Sequence, residues 1–113
     1  MRTVIFLFGL CLVAVQGAGA QDRGEATYKA TCMRCHGPSG DGKGHEGMKV
    51  TPADLRSDAV QDKSDQELYD SIALGAGHKE YPHAFAERGL TRKQITDVIT
   101  YIRGFAKKST KAK

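Results

Sequence analysis

The chain has 113 residues, with 17 Lys and Arg against 13 Asp and Glu, a net charge of +4, and three cysteines. This length is that of one small domain and excludes a multidomain enzyme. Much of the positive charge lies at one end, in Lys107, Lys108, Lys111 and Lys113. The basicity is therefore local and does not indicate nucleic-acid binding.

The N-terminal segment has the pattern of a secretory signal. Arg2 precedes an apolar run from Val4 to Val15, and Ala18-Gly19-Ala20 provides the small residues that signal peptidase recognises. The run is shorter than the roughly 20 residues needed to span a bilayer. We therefore expect residues 1–20 to be cleaved, leaving a domain over residues 21–106 and a basic flexible tail over residues 107–113.

Three helices are predicted, and no segment has a clear strand pattern. The first runs from about Asp22 to His36, and Gly24, Tyr28 and Cys32 share one of its faces because they are spaced by four. After it comes a long glycine-rich stretch, residues 37–63. Irregular stretches of this length are uncommon in compact domains unless they are functional, and wrapping a large flat ligand would explain one.

The second and third helices have clear start patterns. Ser64 and Glu67 form a capping box at the start of the second helix, and Gly75 suits its end. Thr91 and Gln94 repeat the same capping pattern at the start of the third. That helix has the strongest apolar periodicity in the chain, with an inner face of Ile95, Val98, Ile99 and Ile102 that is widened by Tyr101 and Phe105.

The residues that carry chemistry are Cys32-Met33-Arg34-Cys35-His36, the C-x-x-C-H pattern of covalent c-type haem attachment. On a helical turn both thiols lie near one porphyrin edge, and the imidazole reaches the iron from the same side. Two other sites are compatible with these residues. A zinc site would combine both cysteines with His78 and His83, at an unusual spacing. A redox dithiol would need a βαβ context that the sequence lacks.

Together these residues resemble the class I monohaem c-type cytochromes of the bacterial periplasm. Gly24 and Tyr28 resemble the packing residues of the family's first helix, and Val98 and Tyr101 resemble those of its last helix. The resemblance implies an all-α cytochrome c fold, with three main helices and long loops around one covalent haem c. It implies thioethers from Cys32 and Cys35 and iron ligation by His36.

The resemblance also implies a carbonyl that holds the second nitrogen of the His36 ring. The segment Thr51-Pro52-Ala53-Asp54-Leu55 is similar to the family's proline-containing loop, which supplies that carbonyl. We therefore expect the acceptor to be Pro52, with Pro38 as the alternative. Such a bond fixes the ring and tunes the metal.

The sequence departs from the family at the second iron ligand. A methionine usually precedes a proline before the last helix, and here Tyr81 stands before Pro82. The candidates for this distal ligand are Tyr81, His83, His78 and Met48. A site with no distal ligand is the remaining alternative. Tyrosinate or imidazole favours ferric iron more than a thioether does, so either ligand predicts a lowered reduction potential.

The sequence-based hypothesis is a periplasmic haem protein that carries single electrons between redox proteins, for which acidic and membrane-bound partners are the candidates. It predicts no nucleic-acid partner and no small-molecule substrate. It is predicted not to be an enzyme, although an open distal site would permit weak peroxidase-like activity. The alternative is a gas or peroxide sensor, or a small enzyme, with Tyr81 or His83 acting at an open distal site. Binding of carbon monoxide separates the two hypotheses.

Overall fold

A computed structural model describes residues 17–77 and 84–111, with the backbone alone for residues 107 and 109–111. The described part is all-α, as predicted, and has no strand. Its helices are α1 (Ala20–Thr31), α2 (Met33–His36), α3 (Asp58–Gln61), α4 (Asp65–Leu74) and α5 (Arg92–Lys111). Within these ranges no helix is both long and apolar enough to cross a membrane.

The first predicted helix is two helices rather than one. α1 ends at Thr31, and Cys32, with φ −112° and ψ −37°, separates it from the single turn of α2. The glycine-rich stretch that follows also contains α3, which the periodicity did not indicate. The available signal was Ser57-Asp58, a residue suited to an N-cap followed by an acidic first turn.

The predicted starts of the last two helices are confirmed. The Ser64 hydroxyl accepts from the Glu67 N–H, the Glu67 carboxylate accepts from the Ser64 N–H, and Gly75 ends α4 in a left-handed conformation. At the start of α5, the Gln94 N–H donates to the Thr91 hydroxyl at 3.1 Å and the Thr91 N–H donates to the Gln94 side chain at 2.9 Å.

The last helix extends into the segment that the sequence analysis assigned to a basic tail. The helix continues to Lys111. The physical reason is that residues 105–111 contain neither glycine nor proline, and lysine and alanine are strong helix formers. Residues 112–113 lie outside the described part.

The core forms where α4 and α1 meet the apolar face of α5. All six predicted inner-face residues of α5 are buried, together with Leu68 of α4 and Tyr28 of α1. The remaining buried apolar side chains are Leu55, Val60 and Ala73. Leu55 and Val60 come from the long stretch between α2 and α4, which places that stretch against the core.

The closest approach between α1 and α5 occurs at Gly24. A Cβ atom built at Gly24 would lie 2.0 Å from the carbonyl oxygen of Asp97, so the two backbones touch there. One turn further along α1, the Tyr28 ring packs against those of Tyr101 and Phe105, with both centroid distances 5.2 Å. This confirms the predicted pairing of Gly24 and Tyr28 with the last helix and fixes the position of the cysteine motif that α1 leads into.

An ion pair braces the same crossing. Arg23 Nε donates to Asp97 Oδ2 at 2.8 Å, and Lys93 Nζ lies 3.4 Å from the same oxygen. Asp97 is buried at 6% exposure. The Arg23 hydrogen bond, with a further contribution from Lys93, outweighs desolvation and holds the pKa of the Asp97 carboxyl below its usual range.

The lowered pKa predicts how this ion pair contributes across pH. Its contribution to the free energy of unfolding is fully present above about pH 4, the usual pKa of aspartate, and is lost as the pH falls through the lowered folded value. We therefore expect Asp97→Asn to lower the melting temperature at pH 7 and to melt increasingly like the parent protein towards pH 2. Thermal unfolding of both proteins between pH 2 and 7 measures this difference. A gap that stays constant over that range would contradict the prediction.

Candidate functional site

The motif residues occupy a single tight turn. The Cys32 N–H donates to the Tyr28 carbonyl at 2.8 Å, which ties the motif to the last turn of α1. The N–H groups of Cys35 and His36 then both donate to the Cys32 carbonyl, at 3.2 and 3.0 Å. The two cysteines and the histidine are therefore held on one helical turn, as the spacing predicts.

Cys32 and Cys35 are not joined in a disulfide, and their surroundings differ. Cys32 is half-buried against the core, whereas Cys35 is exposed. Thr31 donates its hydroxyl hydrogen to the Thr27 carbonyl at 2.6 Å, so its oxygen, 3.4 Å from Cys32 Sγ, can accept the thiol hydrogen. Burial raises the pKa of the Cys32 thiol, and this group is therefore protonated at neutral pH.

The Tyr28 hydroxyl supports the motif from the core side. It donates to the Gly37 carbonyl at 2.6 Å, and both residues are buried. Burial also raises the pKa of this phenol far above its usual value, so it remains a donor at any physiological pH. The position directly after His36 is thereby fixed by a side chain of α1.

The glycine-rich loop folds back onto the motif. A Cβ atom built at Gly44 would lie 2.0 Å from the carbonyl oxygen of Arg34, so only glycine allows the loop to pass this close. The Gly42 N–H donates to the His36 carbonyl at 2.9 Å. The backbone around His36 is thus enclosed by the loop on one side and by Tyr28 on the other.

The His36 ring is held by a backbone carbonyl, but not by the one that was predicted. Nδ1 lies 3.1 Å from the oxygen of Ala53, one residue after Pro52. Pro52 directs its own carbonyl towards Gly42, where a Cβ atom would lie 2.6 Å from that oxygen. Pro52 thus packs its carbonyl against the glycine-rich loop, and the carbonyl of the next residue, Ala53, is the one within hydrogen-bond distance of the ring.

The hydrogen bond from His36 also determines which ring nitrogen carries the lone pair. A carbonyl oxygen can only accept, so the proton of the neutral ring is on Nδ1 and the lone pair is on Nε2. A metal-binding histidine characteristically donates its other N–H to such an acceptor, which orients the ring and raises its basicity. His36 therefore has the arrangement expected of an iron ligand.

Three of the four candidate distal ligands lie in a segment that the structure does not describe. Tyr81, His83 and His78 all lie in residues 78–83, outside the described residues. Met48 is half-buried within the glycine-rich loop. Among residues 17–77 and 84–111, no group of three or more His, Cys, Asp or Glu side chains could hold a metal ion. The proposed zinc ligands His78 and His83 belong to the undescribed segment.

Three features of the site were not anticipated from the sequence. These are the Ala53 carbonyl, the hydroxyl function of Tyr28, and a compact turn formed by Asp54, Arg56 and Ser57. The sequence contained a signal for Asp54, because an aspartate side chain favours a turn in which it accepts from the backbone two residues further on, here the Arg56 N–H. Backbone acceptors such as Ala53 leave no trace in side-chain identity.

Two reduced thiols and an oriented imidazole on one turn of an all-α domain are the donor set of a c-type haem protein. The Cytochrome c family model matches residues 21–106, and the chain belongs to the cytochrome c family. No curated protein and no solved structure matches it. Membership implies one covalently attached haem c, haem-based electron transfer and redox proteins as partners.

The residues present fit that cofactor. Both thiols are unpaired with each other, as thioether formation requires, and Nε2 of His36 carries the lone pair that iron needs. Cys32 and Met33 pack against the core, so the motif borders an apolar region suited to a porphyrin. The fit rests on these donor atoms and their support by Tyr28 and Ala53.

Proposed function

We propose that this protein carries single electrons between redox proteins in the periplasm, with its haem held by Cys32, Cys35 and His36. The observation that supports this most is the His36 ring, whose Nδ1 lies 3.1 Å from the Ala53 carbonyl oxygen, on the same turn as two cysteines that form no disulfide. The haem iron, when bound, supplies the one-electron chemistry. The periplasmic location is supported by the secretory pattern of residues 1–20.

The chain's own residues favour electron transfer in two ways. His36 is constrained from both sides, by Ala53 at its ring and by the backbone bonds of Gly42 and Gly37. A ligand that cannot move keeps the rearrangement on changing oxidation state small. The thioethers from Cys32 and Cys35 would keep the cofactor attached in a compartment where it would otherwise be lost by dilution.

Optical spectra of the haem-loaded protein test this function. We expect sharp low-spin ferrous bands at neutral pH that carbon monoxide does not change, because an electron carrier has both axial positions occupied. Tyr81→Phe, His83→Ala and His78→Ala, each measured in the same way, identify the distal ligand as the variant that admits carbon monoxide. A parent protein that binds carbon monoxide at once would overturn the proposal in favour of ligand-binding chemistry.

A further inference from the structure

The acceptor of the His36 hydrogen bond belongs to the peptide group that joins Ala53 to Asp54. The carbonyl of Ala53 and the nitrogen of Asp54 lie in one rigid plane, because the peptide bond does not rotate. The direction of the carbonyl therefore depends on the torsions on either side of this plane. Any interaction that immobilises Asp54 also limits how far the Ala53 oxygen can turn away from Nδ1.

Asp54 is held at both its carboxylate and its carbonyl. Arg56 donates to the carboxylate three times, from its backbone N–H at 2.9 Å, from Nε at 2.9 Å and from Nη2 at 2.8 Å. Ser57 donates to the Asp54 carbonyl from its backbone N–H at 3.1 Å and from its hydroxyl at 2.7 Å. These hydrogen bonds from Arg56 lower the pKa of Asp54 to about 2, so the pair is fully charged at neutral pH.

The turn is also anchored to the rest of the molecule through Leu55. The Leu55 N–H donates to the Gly40 carbonyl at 2.7 Å, in the loop that follows the haem motif. The Leu55 carbonyl accepts from Gln61 Nε2 at 2.6 Å, and the same nitrogen donates to the Ile102 carbonyl of α5 at 3.1 Å. Immobilising Asp54 within this turn therefore fixes the Ala53 carbonyl relative to His36 and to the core.

We propose that Asp54 and Arg56 form a positioning pair that holds the Ala53 carbonyl on His36 and thereby sets the reduction potential. The inference rests on the proposed function, in which His36 is the iron ligand. A firm hydrogen bond at Nδ1 raises the basicity of the ring and favours ferric iron. Loosening the turn weakens this bond, and the reduction potential then rises.

A positioning role and a direct effect of charge on the iron predict different signs for the shifts in reduction potential. Asp54→Asn removes a negative charge and Arg56→Gln removes a positive one. A purely electrostatic effect would raise the potential in the first variant and lower it in the second. A positioning pair predicts a rise in both, because each substitution breaks the ionic contact that fixes the turn.

The experiment measures the potential of the haem-loaded parent, Asp54→Asn and Arg56→Gln by spectroelectrochemistry at pH 7. Proton NMR of the reduced proteins measures solvent exchange of the His36 Nδ1 proton. The matched control is Asp65→Asn, which removes an ion pair of the same length, 2.8 Å to Arg103, without touching the turn. We expect both turn variants to have raised potentials and faster proton exchange, and Asp65→Asn to match the parent.

Two results would overturn the positioning role. One is a pair of potential shifts of opposite sign, and the other is unchanged potential and proton exchange in both turn variants. The ligand assignment itself is tested separately with His36→Ala. If His36→Ala kept the parent's haem spectrum, His36 would not be the iron ligand and the proposed function would fail. If the spectrum depends on His36 but the turn variants match the parent, only the role of Asp54 and Arg56 is overturned.

Discussion

Replacing both motif cysteines, in a protein carrying Cys32→Ala and Cys35→Ala, is expected to abolish covalent haem attachment. The two thiols are the only described sulfur nucleophiles within this turn, because the third sulfur belongs to the thioether side chain of Met33. Without them any haem is held by coordination and apolar contact alone and is lost on denaturation. Mass spectrometry of the denatured protein, after expression with a haem-attachment system, measures the covalent adduct directly.

The single variants and a matched control make this result specific. Cys32→Ala and Cys35→Ala each leave one thioether, so we expect a covalent adduct with one unreacted vinyl group and a red-shifted ferrous α band. Arg34→Gln lies between the two cysteines, is exposed and carries no nucleophile. It should retain the full adduct and the parent spectrum. A double variant that still carried covalent haem would contradict the assignment of both thioethers.

The extent to which the sequence predicted this fold depended on how local each signal was. The starts of α4 and α5 followed from Ser64 and Thr91, because a capping box involves only four consecutive residues. The buried face of α5 followed from its periodicity, which one helix expresses by itself. The break at Cys32 was not predictable in the same way, since residues 22–36 contain no proline and the only glycine, Gly24, lies near the start of α1.

The site shows the same division between local and non-local information. Cys32, Cys35 and His36 follow from one five-residue pattern, whereas the acceptor for His36 comes from 17 positions further along the chain. A shift of one residue in that distant segment exchanges Pro52 for Ala53 as the acceptor, because the acceptor is a backbone carbonyl that both residues carry. Sequence can therefore place the acceptor in the correct loop, but the residue is decided by how the loop packs against Gly42.

Gly24→Ala is expected to be among the most destabilising single substitutions in α1, although alanine is the better helix former. The added Cβ would lie 2.0 Å from the Asp97 carbonyl oxygen and 2.6 Å from its carbon, both backbone atoms of α5. Backbone cannot rotate away as a side chain can, so the helices must separate. Overpacking typically costs about 1–3 kcal/mol, and a backbone contact as short as 2.0 Å places this case at the upper end, above the gain of about 1 kcal/mol from replacing a helical glycine.

The matched control for this prediction is Gly104→Ala, on the other helix of the same crossing. The atoms nearest to its Cβ would belong to the Gln21 side chain, with Nε2 at 3.2 Å, and Gln21 is exposed and able to change rotamer. The propensity gain should then dominate, so we expect Gly104→Ala to be neutral or stabilised by up to about 1 kcal/mol. Urea unfolding of the haem-loaded parent and both variants gives the two free-energy differences.

Changes of opposite sign in the free energy of unfolding would establish that backbone contact, rather than glycine's flexibility, requires glycine at position 24. Equal stability of Gly24→Ala and the parent would show that the helices can separate without cost, which the burial of Tyr28 directly beneath the crossing argues against.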